Sequence, residues 1–236
     1  LIMLSIFSIL ACAPNSQGLK VTSPDGDIAV AVEMREAMPY YAVTFQGREI
    51  IQPSRLGMVL QDGPSFDELT LLSSSTHSMD DTWTQPWGQF KEVRNHFNEL
   101  TLEFQTTAEP VRSINVVFRV FDDGVGFRYE WPDQQNLSEF NIMDELTEFK
   151  FDGNHNGWWI EAYQPERYEY LYQNTRVAEM PTVHTPATFE TSAGDVFAIH
   201  EAALTDFASM TLKPAGELAF EADLVPWSDG VKVRAT

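Results

Sequence analysis

The sequence predicts an all-β protein, a sandwich or barrel of mainly antiparallel strands. Short segments rich in β-branched and aromatic residues recur along the chain, separated by Gly, Pro, Asn or Asp. A hairpin pattern is clearest at residues 113–131, where the runs INVVFRVF and VGFRYEW flank Asp122-Asp123-Gly124. No long segment has the 3.6-residue period of an amphipathic helix, which argues against a βαβ sheet.

The first half of the chain divides into short strands and turns. Pro24 and Gly26 lie where a tight reversal needs a fixed or positive φ, and Gln46-Gly47 predicts a second hairpin turn. Residues 61–66 are predicted as loop. The strands predicted here are residues 28–32, 41–45, 48–51, 56–60 and 100–104.

The second half continues the same pattern after the hairpin at residues 113–131. Residues 133–148 are polar and are predicted to be irregular. Further strands are predicted at residues 149–151, 158–160, 188–191, 196–200, 209–212, 218–220 and 231–233. We find no internal repeat.

The charge and composition of the chain limit the classes of partner that it can bind. Of 236 residues, 43% are apolar, which is enough for the core of one large all-β domain. There are 35 acidic and 15 basic residues, giving a formal charge of −20. Nucleic acid and anionic membrane surfaces should therefore repel the protein.

The amino terminus is predicted to be a secretion signal with a short linker, residues 1–18, ahead of one domain at residues 19–236. LIMLSIFSILAC is too short to span a bilayer and is typical of a signal-peptide core. Ile9-Leu10-Ala11-Cys12 resembles the bacterial lipobox, which predicts lipidation of Cys12. A lipid anchor would then be the only membrane contact, on a protein exported to the periplasm or outer membrane. Since Cys12 is the only cysteine, no intrachain disulfide can form.

The two ends of the sequence lead us to expect a fragment. The first residue is not Met and no basic segment precedes the apolar run. The last residues, VKVRAT, read as a strand with no turn or polar tail after it.

Residues 80–100 combine large aromatic rings with polar groups. Trp83, Trp87, Phe90 and Phe97 alternate with carboxylates, amides and basic side chains. Rings that stack beside hydrogen-bonding groups suit a polar, ring-shaped ligand such as a sugar. The alternative is a long loop whose tryptophans fill the core of a β-sandwich.

Glu169 is the first candidate for a site. It lies between tyrosines in residues 166–172, and in a strand these tyrosines would share the face opposite to it. It could form a surface ion pair with Arg167 or Arg176. It could also be one oxygen ligand of a Ca²⁺ site, which would need several more ligands from elsewhere.

Zinc and nucleophilic chemistry are not indicated. His200-Glu201 begins like the HExxH zinc motif, but Leu204 stands where the second histidine belongs. The sequence has no GxSxG motif, no Gly-rich phosphate loop and no cysteine nucleophile.

Three motifs together resemble the N-terminal domain of glycoside hydrolase family 97. They are Trp87-Gly88 with the run RNHFNEL at residues 94–100, DDGVGFRYE at residues 122–130, and HEAAL at residues 200–204. The resemblance spans nearly everything after the signal. It implies a secreted bacterial α-glucosidase or α-galactosidase with an N-terminal β-super-sandwich of two packed sheets, a catalytic (β/α)₈ barrel and a C-terminal β-domain, and with calcium at the active site.

The resemblance also implies roles for single residues. In the family, the N-terminal domain lends one glutamate to the calcium site, seven residues before an arginine, and Glu169 and Arg176 match that pattern. Trp159, Tyr163 and Glu201 are predicted to contact an α-linked oligosaccharide or α-glycoside. The catalytic residues would belong to the barrel, so none is expected in this chain, and the chain alone should be inactive. The alternative is a free-standing carbohydrate-binding lipoprotein without a catalytic partner.

Overall fold

The computed structural model describes residues 19–165 and 169–235, and their regular structure is almost entirely β-strand, as predicted. A 3-10 turn spans Val177–Glu179. No helix in the described ranges is long and apolar enough to cross a bilayer. The strands are β1 (Leu19–Thr22), β2 (Ile28–Arg35), β3 (Met38–Phe45), β4 (Arg48–Arg55), β5 (Met58–Leu60), β6 (Leu69–Thr84), β7 (Glu92–Thr106), β8 (Ser113–Phe121), β9 (Gly124–Glu130), β10 (Phe140–Glu145), β11 (Glu148–Phe151), β12 (Asn156–Trp159), β13 (Gln173–Arg176), β14 (Val183–His184), β15 (Ala187–Glu190), β16 (Val196–Ile199), β17 (Met210–Gly216), β18 (Ala219–Leu224) and β19 (Val233–Ala235).

The described strands form four antiparallel sheets. The largest sheet has eight strands, in the order β1-β2-β3-β4-β11-β18-β17-β14. Two four-stranded sheets have the orders β6-β7-β8-β9 and β13-β12-β15-β16, and a three-stranded sheet has the order β19-β10-β5.

Each half of the eight-stranded sheet packs on its own four-stranded sheet. In the first half, the ring of Tyr41 on β3 lies 5.9 Å from that of Phe118 on β8 and 5.4 Å from that of Phe127 on β9. In the second half, Phe151 on β11 lies 4.7 Å from Phe189 on β15, measured between ring centroids. These aromatic contacts join the layers into the all-β sandwich that the sequence predicts.

The predicted hairpin at residues 113–131 is confirmed as β8 and β9. Its loop has two residues rather than three, because Phe121 already pairs with Gly124. The predicted turn at Gln46-Gly47 is also confirmed: both residues have positive φ, 48° and 78°, between β3 and β4.

Residues 80–100 do not form a core-filling loop, and their suitability for a sugar ligand stays a prediction. Most of them lie in β6 and β7, a long hairpin whose tip extends past the end of β8, since β8 pairs with β7 only as far as Phe97. Phe97 is 2% exposed, whereas Trp87 at the tip is 86% exposed. The prediction of core-filling tryptophans is therefore wrong for Trp87, and also for Trp83, which is half exposed.

The polar residues of this hairpin are compatible with strands because cross-strand pairs stabilise them. Asp80 accepts a hydrogen bond from the Arg94 guanidinium at 2.8 Å, and Ser78 Oγ donates to Asn98 Oδ1 at 2.6 Å. Ser78 and Asn98 are directly opposite in the register of β6 and β7, and Asp80 and Arg94 are diagonal neighbours, since Asp80 lies opposite His96.

The prediction that residues 133–148 are irregular is wrong for β10. Ile142 on this strand is fully buried and pairs with Leu60 on β5 and Val233 on β19. Both partners are distant in the sequence, so local composition gave no sign of the strand. β10 places Asp144 and Glu145 at the edge of the site described next.

Candidate functional site

Two loops leave the same end of the sheet β13-β12-β15-β16. β12 ends at Trp159 opposite the start of β13 at Gln173, and Ile199 at the end of β16 pairs with Ala187 at the start of β15. The described residues of the first loop, 160–165 and 169–172, therefore lie at the same end as the second loop, residues 200–209.

Carboxylates from the neighbouring sheets line this end. The Tyr163 hydroxyl in the first loop donates a hydrogen bond to Asp223 on β18. Glu201 in the second loop lies close enough to Glu145 on β10 for its charge to raise the pKa of Glu145. We call the two loops together with Asp144, Glu145 and Asp223 the acidic end.

Glu169 lies in the first loop with its side chain exposed, before β13 begins. Neither of the predicted ion pairs is seen within the described ranges. Arg176 instead donates to the backbone oxygen of Asn154 at 3.2 Å, and Arg167 lies outside the described residues. Exposure of this carboxylate leaves its oxygens open to a cation or to a partner.

Trp159 is buried at the base of the same loop. It is 8% exposed, and its indole Nε1–H donates to Thr175 Oγ1 at 3.0 Å. Since that bond uses its only polar group, the contacts seen for Trp159 hold β12 to β13. Its predicted role as a substrate contact stays a prediction.

Tyr163 marks the point where the chain turns into the loop. Its φ is 58°, which is uncommon for a bulky residue, and its ring is 51% exposed. The hydroxyl donates to Asp223 Oδ2 at 2.7 Å. Burial, and then the hydrogen bond to Asp223, raise the pKa of the Tyr163 hydroxyl.

Glu201 is half-buried in the loop that follows β16. Its Oε1 accepts a hydrogen bond from the backbone N–H of Met210 at 2.8 Å. Burial raises the pKa of the Glu201 carboxyl, while the bond from Met210 opposes that effect. Its predicted contact with substrate stays a prediction.

Glu145, which no sequence motif indicated, terminates a hydrogen-bonded chain at the acidic end. Thr147 Oγ1 donates to Glu145 Oε1 at 2.7 Å, and the Tyr129 hydroxyl lies 2.8 Å from Thr147 Oγ1. Gly57 N–H donates to that tyrosine hydroxyl at 3.1 Å. Since Thr147 gives its only proton to Glu145, Tyr129 must donate to Thr147.

Burial raises the pKa of Glu145 to about 7, although the bond from Thr147 lowers it, and the charge of Glu201 adds to the rise. The folded protein thus keeps a proton on Glu145 at a pH where the unfolded chain, with an ordinary pKa of 4.5, has lost it. Stability from this group is complete below pH 4.5 and is lost as pH rises through about 7.

We therefore expect the free energy of unfolding to fall by about 2 kcal/mol between pH 5 and pH 8 because of Glu145. Urea titrations across that range should show the slope, and Glu145→Gln should flatten it. Glu179→Gln, at an exposed residue, is the matched control and should leave the slope in place. An equal slope in Glu145→Gln would contradict the assignment.

The described residues do not form a complete metal site. In residues 19–165 and 169–235, no group of three or more His, Cys, Asp or Glu side chains is arranged to hold an ion. Calcium needs six to eight oxygen ligands, so the exposed carboxylate of Glu169 fits the role of one ligand in a shared site, not a site of its own.

A polar cleft lies at the opposite end of the sandwich. Two of its polar pairs are already formed: Arg48 binds Asp195 at 2.7 Å, and His155 Nε2 lies 2.8 Å from Asp152 Oδ1. The acidic end remains the stronger candidate.

Comparison with known proteins identifies the family. The family model described as Glycosyl-hydrolase 97 N-terminal matches residues 21–234. The chain belongs to this family. Among curated proteins, a retaining alpha-galactosidase from Bacteroides thetaiotaomicron is 29% identical to this family 97 domain over 179 residues, which is 69% of this chain and 25% of that protein.

Solved structures of family 97 enzymes also superpose on this chain. A glycoside hydrolase family 97 enzyme from Pseudoalteromonas sp. strain K8, in complex with acarbose, is 37% identical with a TM-score of 0.88 over 92% of this chain. A variant of that enzyme was solved in complex with panose and superposes equally well. A beta-arabinopyranosidase has a TM-score of 0.77 at 23% identity, which shows a shared fold.

The family 97 domain is only part of the length of these relatives. It covers 25% of the galactosidase and 33% of the Pseudoalteromonas enzyme. The signal, the lipobox and Cys12 lie outside the described residues, and their predicted roles stay predictions.

Proposed function

We propose that this chain is the N-terminal domain of a calcium-dependent, exo-acting α-glycosidase. Its relatives include an alpha-galactosidase and an enzyme solved with acarbose and with panose, and each is three to four times as long as the match. The bond-breaking carboxylates would lie in the rest of the polypeptide, which the family resemblance implies is a (β/α)₈ barrel. The substrate class is an α-linked oligosaccharide or α-glycoside.

The observation that carries the proposal is the position of Glu169. Its carboxylate is exposed on a loop at the acidic end, and the described residues supply it with neither an ion pair nor a complete set of metal ligands. An ionised side chain held in this way can be shared with a cation that a neighbouring domain binds. Calcium, when bound, would supply positive charge beside the substrate and the catalytic carboxylates.

The other groups of the acidic end give this domain a wall facing the substrate pocket. Tyr163 presents half of its ring, and Glu201 lies on the second loop leaving the same end. Leu171 and Tyr172 beside Glu169 are also exposed, which suits a surface that a second domain covers. Trp159 contributes indirectly, because its hydrogen bond to Thr175 holds β12 to β13 at the base of the first loop.

Export completes the proposal. A signal with Cys12 as its lipidation site would hold the enzyme in the periplasm or at the outer membrane, where extracellular oligosaccharides arrive. Labelling cells with a palmitate analogue would test this directly, since Cys12→Ala should abolish the label.

The function is tested by assaying the full-length protein on α-glucosides and α-galactosides. We expect hydrolysis of at least one class, loss of activity after chelation, and recovery on adding calcium. The chain printed here should show no hydrolysis alone. Activity that survives exhaustive chelation would contradict the calcium role, and sugar binding without any hydrolysis would favour a carbohydrate-binding sandwich.

A further inference from the structure

The long hairpin β6–β7 projects beyond the sandwich that the other strands form. Its pairing with β8 ends at Phe97, which lies opposite Met79. Beyond that point β6 and β7 pair only with each other, for five more residue pairs that end at Thr84 and Glu92. At the usual rise per residue this ribbon is about 17 Å long. Its tip adds nothing to the core, since residues 86–92 are all exposed.

The tip of this hairpin lies at the end of the sandwich opposite to the acidic end. β8 ends at Phe121 beside the hairpin, and the turn after it contacts the β1–β2 turn, where Asp25 N–H donates to Asp122 Oδ1 at 2.9 Å. The β1–β2 turn is bonded to the β3–β4 turn, since Gln46 N–H donates to Asp27 O at 2.7 Å. The β3–β4 turn borders the polar cleft. The tip is therefore remote from the acidic end.

Three aromatic side chains are exposed at the tip. Trp83 is half exposed, and Trp87 and Phe90 are 86% and 65% exposed. Within the described residues, none of these three rings contacts another ring or a basic side chain. Trp227 differs in this respect: it is exposed to a similar extent, but the Arg234 guanidinium covers its ring at 5.4 Å from the centroid. The ring faces at the tip are thus open to a ligand.

The course of the tip is fixed by Gln85, the one residue in the segment 84–92 that is not fully exposed. Its backbone N–H donates to Lys91 O at 3.0 Å, and its side-chain amide donates to Phe90 O. Gly88 has a φ of 145° and passes so close to this amide that an added Cβ would lie 2.6 Å from Gln85 Nε2. The rings are therefore carried by an ordered loop, which reduces the entropy lost when a ligand binds.

The chemistry of the tip suits a neutral ring compound rich in hydroxyl groups. The side chains beside the rings are exposed hydroxyls and an amide, from Thr82, Thr84 and Gln89. Aromatic faces stack on the C–H faces of a sugar, while hydroxyls and amides bond its hydroxyl groups. A second copy of this chain fits less well, because the formal charge of −20 and the adjacent Asp80 and Asp81 would repel it. A neutral sugar meets no such repulsion.

We propose that Trp83, Trp87 and Phe90 form a second oligosaccharide-binding site, remote from the catalytic pocket. The inference rests on the proposed function for the class of ligand, a neutral α-linked oligosaccharide. The site would hold a sugar chain against the enzyme without taking part in bond cleavage. It explains why a long, polar hairpin carries its aromatic residues at an exposed tip.

The test is affinity electrophoresis of the full-length protein through gels that contain a chelator and either soluble starch or galactomannan, which carries α-galactosyl branches. The chelator removes the calcium on which the proposed active site depends. We expect one of the two polysaccharides to slow the native protein, and Trp87→Ala to raise the apparent Kd by about tenfold. Phe90→Ala should act in the same direction, whereas Phe90→Tyr, which keeps the ring, should stay within about twofold of the native Kd.

Trp227→Ala is the matched control, because it removes an exposed tryptophan whose ring face is already covered. It should leave the retardation unchanged. The proposal is overturned if neither polysaccharide slows the native protein, if the chelator abolishes the retardation, or if Trp87→Ala and Phe90→Ala are slowed as much as the native protein. A dimer that Trp87→Ala dissociates, with no retardation, would identify a second copy as the occupant instead. A protein that is slowed but hydrolyses neither class of glycoside would refute the proposed function and leave this site in place.

Discussion

Replacing Phe151 with alanine is expected to lower the free energy of unfolding by about 3–5 kcal/mol. Its side chain is 1% exposed and lies between the second half of the eight-stranded sheet and the sheet β13-β12-β15-β16. The ring centroid lies 4.7 Å from that of Phe189 and 5.6 Å from that of Phe197, both on the facing sheet, and 6.0 Å from that of Phe220 on the neighbouring strand. Removing it leaves a cavity where three rings meet.

Urea unfolding of the native protein and of Phe151→Ala measures this loss of stability. Phe90→Ala is the control, since Phe90 at the tip of the long hairpin is largely exposed and should change stability by less than about 0.5 kcal/mol. A loss below about 1 kcal/mol in Phe151→Ala would mean that the two layers do not depend on this cluster.

The second large effect is expected from Glu169→Gln in the full-length protein. Glutamine keeps the size of the side chain but loses the charge that a hard cation prefers in its ligands. We expect the calcium concentration for half-maximal activity to rise by about a hundredfold, the upper end of the loss seen when only an outer-shell partner of a metal ligand is removed. Because the side chain is exposed, the unfolding transition should not move.

Glu179→Gln provides the matched control for this variant. Glu179 is also exposed, but it lies in the 3-10 turn after β13, at the other end of the sheet from Glu169. Its substitution should leave the calcium dependence unchanged. Equal calcium dependence in Glu169→Gln and the native enzyme would show that Glu169 is not a calcium ligand.

The fold class could be predicted because its signals are local. The run of residues 113–131 alternates apolar side chains around a turn, and in β8 the side chains of Ile114, Val116, Phe118 and Val120 all point into the core as that alternation predicts. The long hairpin β6–β7 could not be predicted in this way. Its polar strands depend on partners some 20 residues away, such as Ser78 with Asn98.

The site was predictable only in part. The family resemblance singled out Glu169, and the structure places it on an exposed loop, although the metal contact itself is a proposal. Glu145 gave no signal, because its burial and its bond from Thr147 arise where β10 meets strands distant in the sequence. The link between Tyr163 and Asp223 spans 60 residues and could not be read from composition or spacing.

The most direct test is a structure of the full-length protein with calcium bound. We expect a Glu169 carboxylate oxygen at about 2.3–2.6 Å from the ion, with the remaining ligands supplied by residues beyond this domain or by water. A fully coordinated calcium with Glu169 turned away into solvent would contradict it.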